Sequence, residues 1–209
     1  MRKFTVIAAG AAGVLLTGSA QAWNGSGHMA VAAIAWEKLT PKAKQQAGDL
    51  LALNPYYLTW TQGIEASEKA HIAFVRAATW PDQIKGDKDY HNDGARNGDV
   101  APSGPEASQN IGYEDHLRHK YWHFYDTSFT SDSSRIEQPQ QPNAETEIAK
   151  MRAALANPST SADIKSYDLA WLLHLIGDVH QPLHATTRFT DGKSDNGGNS
   201  VLGAHLLGL

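Results

Sequence analysis

Apolar residues recur at helical rather than strand spacing through most of the chain. Met29, Val31, Ile34, Ala35 and Leu39 fall at such intervals and predict an amphipathic helix over Gly27 to Leu39. Thr40-Pro41 stops it and opens a second helix, Pro41 to Leu53, because proline is tolerated at the first helical position. A third apolar-periodic segment, Ser67 to Thr79, closes at the Trp80-Pro81 pair. Lys85 to Asn110 turns to Gly, Asp, Asn, Pro and Ser and predicts a long loop. His119 to Asp126 is aromatic-rich, and Ser131 to Pro142 is a second polar loop, rich in Gln and Pro. Asn143 suits the N-cap of a helix to about Asn157, with Glu145 and Glu147 in the first turn where the dipole favours them. A last helix, Ala162 to His180, carries Leu169, Leu172, Leu173, Ile176 and Val179 on its expected buried side and ends at Gln181-Pro182. Alternating strand patterns are nearly absent, so the chain reads as an all-α, multi-helix single domain with long functional loops.

The first residues carry a different pattern. Arg2 and Lys3 precede an apolar stretch from Phe4 to Gly18, and Ala20-Gln21-Ala22 supplies a small-residue cleavage site, which together read as a secretory signal over residues 1–22. Gly10, Gly13 and Thr17 interrupt the apolar run, which falls short of the roughly 20 residues needed to span a bilayer. The expected product is residues 23–209, periplasmic or secreted, without stable membrane association and monomeric. It has the length of one domain, with no internal repeat and no dividing linker.

Composition then narrows the chemistry. A formal net charge of −4 argues against a broad basic surface that would hold nucleic acid by many phosphate contacts. If the chain acts on nucleic acid, metal ions must supply much of the positive charge. The sequence has no cysteine and 10 histidines, so thiolate zinc sites are excluded and a metal would be held by His, Asp, Glu or backbone groups.

The run LLHLIGDVHQPLH places His174 and Asp178 four apart, on one face of the last helix, with His180 and His184 beyond. An ionised carboxylate in an apolar helix is costly unless paired or metal-bound. The pair suits two ligands of one ion; a structural polar network is the alternative. At the predicted new terminus, Trp23-Asn24-Gly25-Ser26-Gly27-His28, the α-amino group and the Trp23 carbonyl can chelate an ion while the glycines let His28 reach it. A glycine-rich helix lead-in with one solvent histidine explains the same residues.

Taken with WNGSGH, TWPDQIK around Asp82, YWHFYD around His123 and GGN at Gly197 to Asn199, the LLHLIGDVHQPLH run resembles the zinc-dependent, single-strand-specific nucleases of the fungal S-one/P-one type, related to trinuclear-zinc bacterial phospholipase C. The pieces stand in the family's order across nearly the whole mature chain. The resemblance implies a first zinc held by Asp82, His123, His174 and Asp178, and a neighbouring zinc held by Trp23, His28 and the bridging Asp178. It implies a third held by His184 with a later His and Asp. Phe124 matches a base-stacking aromatic, a contact worth roughly 1–3 kcal/mol per base, and Lys85 matches a basic position that meets the phosphate. Asp178 and Lys85 are the expected catalytic groups, acting on RNA or single-stranded DNA to release 5′-phosphorylated products. His180 is expected to support a ligand by hydrogen bonding, and His71, His91, His116 and His119 to be structural or surface residues.

The ending departs from that pattern. An LHxxWD motif and further helices are expected after GGN, whereas here His205 is the one candidate histidine and Leu209 stands where an Asp would. A truncated or frame-shifted reading frame is the favoured explanation. It implies two tight zinc ions rather than three, and open apolar surface around Leu172 and Leu173. A phospholipase C-like phosphodiesterase and an inactive zinc-binding remnant are the competing readings.

Overall fold

The structure is a computed structural model, described here for residues 25–198 and residue 200. The leader and Trp23 lie outside these residues, as do Asn199 and His205.

Among the described residues eight α-helices are formed: α1 (Gly25–Lys38), α2 (Pro41–Leu51), α3 (Tyr57–Thr61), α4 (Lys69–Ala77), α5 (Trp80–Gln83), α6 (Ala144–Ala156), α7 (Ala162–His180) and α8 (Pro182–Ala185). Local chemistry starts them where expected. The Thr40 hydroxyl accepts from Ala43 N ahead of Pro41, Asn143 and Thr146 form a reciprocal capping box on α6, and the Ser161 hydroxyl caps α7. Helix α7 is the axis of the fold and packs against α1, α2, α4, α5, α6 and α8. The architecture is all-α, and among the described residues no helix is long and apolar enough to cross a membrane.

The buried face of α7 differs from the one its leucines predict. Tyr167, Ala170, Trp171, His174, Leu175, Gly177 and Asp178 are buried, while Leu169, Leu172, Leu173, Ile176 and Val179 are only half-buried. The aromatic side wins because Trp171 and Tyr167 pack edge-on against Trp80 and tilted against one another; such aromatic pairs add about 0.5–1.5 kcal/mol beyond their buried area. Likewise α1 buries His28, Ala32 and Trp36 and leaves Ile34 65% exposed. The apolar remainder lines an open groove of about 770 Å³ that includes Val31, Ala35, Leu39, Leu50, Leu172 and Leu173.

Besides the short helices α3 and α8, which the sequence pattern did not predict, three features lie outside that pattern. Trp80-Pro81 does not merely end a helix: it begins α5, with proline in the first turn, and that turn carries Asp82. The region expected as a loop from Lys85 to Asn110 contains short 3-10 turns, and Asp93 within it is tied to His119. His119 is buried and donates from Nδ1 to Asp93 at 2.8 Å and from Nε2 to Asp115 at 3.1 Å. Burial opposes its charge, but these carboxylates prevail and raise its pKa. Finally, a small three-stranded sheet forms from β1 (Thr127–Thr130), β2 (Thr186–Thr190) and β3 (Lys193–Ser194), with β1 and β2 parallel and β3 antiparallel to β2. It locks the segment after His123 to the segment after His184, an arrangement extended by Tyr125 N donating to the His184 carbonyl at 2.9 Å.

Candidate metal centre

Five elements deliver the side chains singled out by sequence to one place. His174 and Asp178 stand one turn apart on α7, His28 comes from α1, Asp82 from α5, His123 from the 3-10 turn Lys120–His123 and His184 from α8. His28, His123, His174, Asp178 and His184 are all buried, although nothing about a polar side chain favours that without partners.

Asp178 lies at the centre. Its Oδ2 is 2.9 Å from His123 Nδ1 and 3.1 Å from His174 Nε2. Its Oδ1 is 3.4 Å from His28 Nε2 and 3.2 Å from His184 Nδ1. The two oxygens therefore face different imidazoles. His174 Nε2 also stands 2.9 Å from His123 Nδ1 and 3.8 Å from Asp82 Oδ1. Two groups in this cluster could each hold an ion: His123, His174 and Asp178, and His28, Asp82 and His174. His28 Nε2 is 3.9 Å from Asp82 Oδ2, farther than from Asp178.

Protonation follows from the surroundings. His174 Nδ1 donates to the Ala78 carbonyl at 2.7 Å, which holds the ring with Nε2 facing Asp178. Burial, aided by His174, lowers the pKa of His28 to about 4, and burial with the Lys85 ammonium lowers that of His123 to about 3. For Asp178, burial works against ionisation, but His174 and hydrogen bonds from His123, His174 and His184 drive its pKa far below the usual carboxylate range. Asp82 behaves in the same way: burial opposes its charge, yet His174 and Lys85 bring its pKa down to about 2. The lowered values leave His28 and His123 as neutral imidazoles beside ionised Asp82 and Asp178, the forms in which such groups bind a cation.

Lys85 and Phe124 lie at the edge of the cluster. Lys85 Nζ donates to Asp82 Oδ1 at 2.7 Å and lies 3.4 Å from His123 Nδ1. The half-buried Phe124 ring is tilted against His184, with centroids 4.9 Å apart. Gly197 adopts φ +62°, and a Cβ there would stand 2.2 Å from the Leu183 carbonyl oxygen, so the chain at Gly197 can pass the α8 segment only without a side chain. Trp23 and His205, the other expected ligands, lie outside the described residues.

His180 does not support a ligand. It is exposed, and its Nδ1 donates to the carbonyl of Ile176 in its own helix, because the last turn of α7 carries it away from the cluster. Sequence reasoning missed the Ala78 carbonyl as the group that orients His174. It also missed Asp126, whose carboxyl is half-buried near His184 and Asp195 and is raised in pKa by burial. Asp126 was legible within YWHFYD, three residues beyond His123, whereas no side-chain pattern could have revealed a backbone acceptor.

Comparison with curated proteins and with solved structures found no match. The S1/P1 Nuclease family model matches residues 23–203, which contain every described member of the cluster. With the match running through α1, α5, the His123 turn and α7 alike, the chain belongs to the S1/P1 nuclease family.

Proposed function

We propose that this chain is an exported, zinc-dependent endonuclease that hydrolyses phosphodiester bonds of RNA and single-stranded DNA to 5′-phosphorylated products. The observation that carries the reading is the placement of Asp178, with one oxygen toward His123 and His174 and the other toward His28 and His184.

The residues suit zinc. Ligand atoms around a tetrahedral zinc at 2.0–2.1 Å stand about 3.3 Å apart, close to the spacings of 2.9–3.1 Å among His123, His174 and Asp178. His28 Nδ1, His123 Nε2 and His184 Nε2 have no hydrogen-bond partner despite burial, so these rings owe their positions to whatever their other nitrogens meet. His123, His174, Asp178 and Asp82 would hold one ion; His28, Asp178 and the Trp23 terminus would hold another. When bound, zinc supplies Lewis-acid charge for phosphoryl oxygens and lowers the pKa of water.

The chain's own groups do the rest. Asp82 holds Lys85 beside the cluster, where the ammonium can meet a phosphate oxygen. Phe124 offers a face on which one base can stack, a contact that tolerates any sequence. With a net charge of −4 the chain lacks a broad electrostatic hold on a duplex, which favours a substrate gripped at a few points.

The deciding experiment measures zinc-loaded protein against single-stranded DNA, RNA and phosphatidylcholine. Release of 5′-phosphorylated nucleotides, abolished by a chelator and restored by zinc, is the expected result. Cleavage of the lipid alone would overturn the substrate assignment, and zinc uptake without hydrolysis of any of the three would make the chain a metal-binding remnant.

A further inference from the structure

A glycine inside a helix is disfavoured relative to alanine unless something requires it. Gly177 lies in the middle of the last turns of α7, flanked by Ile176 and Asp178, and is buried. It is not among the glycines with positive φ, so its backbone would accept any residue. The requirement is space. A Cβ at this position would stand 2.5 Å from Nδ1 and 3.1 Å from Cε1 of His28. The His28 ring cannot readily retreat: it is 1% exposed, and it stacks on His174 with centroids 3.9 Å apart and planes 18° from parallel. The imidazole thus lies in the slot left by the missing side chain, between His174 and the helix backbone, and points its Nε2 at Asp178 Oδ1.

We propose that Gly177 is a positioning residue: by having no side chain, it sets the depth at which His28 enters the cluster and so builds the half of the metal centre that depends on His28. The inference rests on the metal reading given above. The half made by His123, His174 and Asp178 contacts Gly177 only through the helix and should survive a change there.

Two measurements on Gly177→Ala test this. In zinc titrations of metal-stripped protein, followed by calorimetry, the unaltered chain should take up two ions tightly. The variant should keep one and bind the other about 10–100-fold more weakly, the range seen when groups orienting a ligand are lost. In thermal unfolding of metal-free protein, Gly177→Ala should lower the midpoint in the unaltered background and raise it in a His28→Ala background, where the clash is gone and the helix preference for alanine remains. A purely structural role for Gly177 would give the same sign in both backgrounds. Unchanged zinc affinity at both sites, or no reversal of sign, overturns the proposal. Failure of the unaltered chain to bind zinc sinks the nuclease reading instead, while the metal-free comparison still decides whether Gly177 makes room for His28.

Discussion

Asp178 presents one carboxylate oxygen to His123 and His174 and the other to His28 and His184, whereas Asp82 stands at the rim against Lys85. Asp178→Asn should therefore lower zinc content, measured by elemental analysis after dialysis, by about one ion more than Asp82→Asn does; equal losses would argue against a shared ligand. A second carboxyl on α7 gives a prediction in pH. Asp168 is buried, its Oδ1 accepts from Asn110 at 2.6 Å, and both its Oδ2 and the Asn110 Oδ1 lack partners. Burial pushes its pKa up from 3.8 to about 7, against the Asn110 hydrogen bond and with help from Glu147. The folded chain thus keeps a proton that the unfolded chain releases near pH 4. Where the native state binds more protons, stability falls as pH rises, so the contribution is complete below about pH 4 and is lost on the way to pH 7. Asp168→Asn should flatten that slope in denaturant unfolding and leave the protein more stable than the unaltered chain at pH 8. A slope that persists in the variant would assign it to other groups, Glu147 first among them, since burial raises its pKa from 4.5 and acts in the same direction.

At the scale of elements, α7 turns its aromatic, His and Asp side inward and its leucines toward the groove. Leu175 is fully buried and Leu172 is half-buried on the groove wall. Leu175→Ala should cost about 2–5 kcal/mol, the range for emptying a core position, and Leu172→Ala clearly less. The reverse order in urea unfolding would mean that the groove is filled in solution. The helix itself was legible from its period and its Gln181-Pro182 end, but its orientation was not: leucine and aromatic faces are both apolar, and only Trp80, Tyr113 and Trp122 arriving from distant segments decide which one is enclosed. The strands were missed for another reason. TSFT, TTRFT and KS are too short to show a period, and β1 and β2 hold only because each continues from a segment already fixed near Asp178.

For the whole molecule, metal and fold should be linked. A ligand that binds only the native state stabilises it by about 2.7 kcal/mol at one hundred times its dissociation constant, so zinc should raise the unfolding midpoint and a chelator should lower it. Elemental analysis after exhaustive dialysis should find two zinc ions per chain, one for each set of imidazoles that the two Asp178 oxygens face; three retained ions would overturn that count. By itself the sequence determined what is local: helix starts at Thr40-Pro41 and Asn143, the one-face pairing of His174 with Asp178, and a donor set without thiolates. These depend on neighbours within about one helical turn. Only the tertiary structure decided how His28, Asp82, His123 and His184 converge on that pair, which side of α7 is enclosed, and why Gly177 stands beside Asp178. Those depend on contacts such as His123 with Asp178, 55 residues apart, and His174 with the Ala78 carbonyl, 96 apart, whose partners come together only when the helices pack.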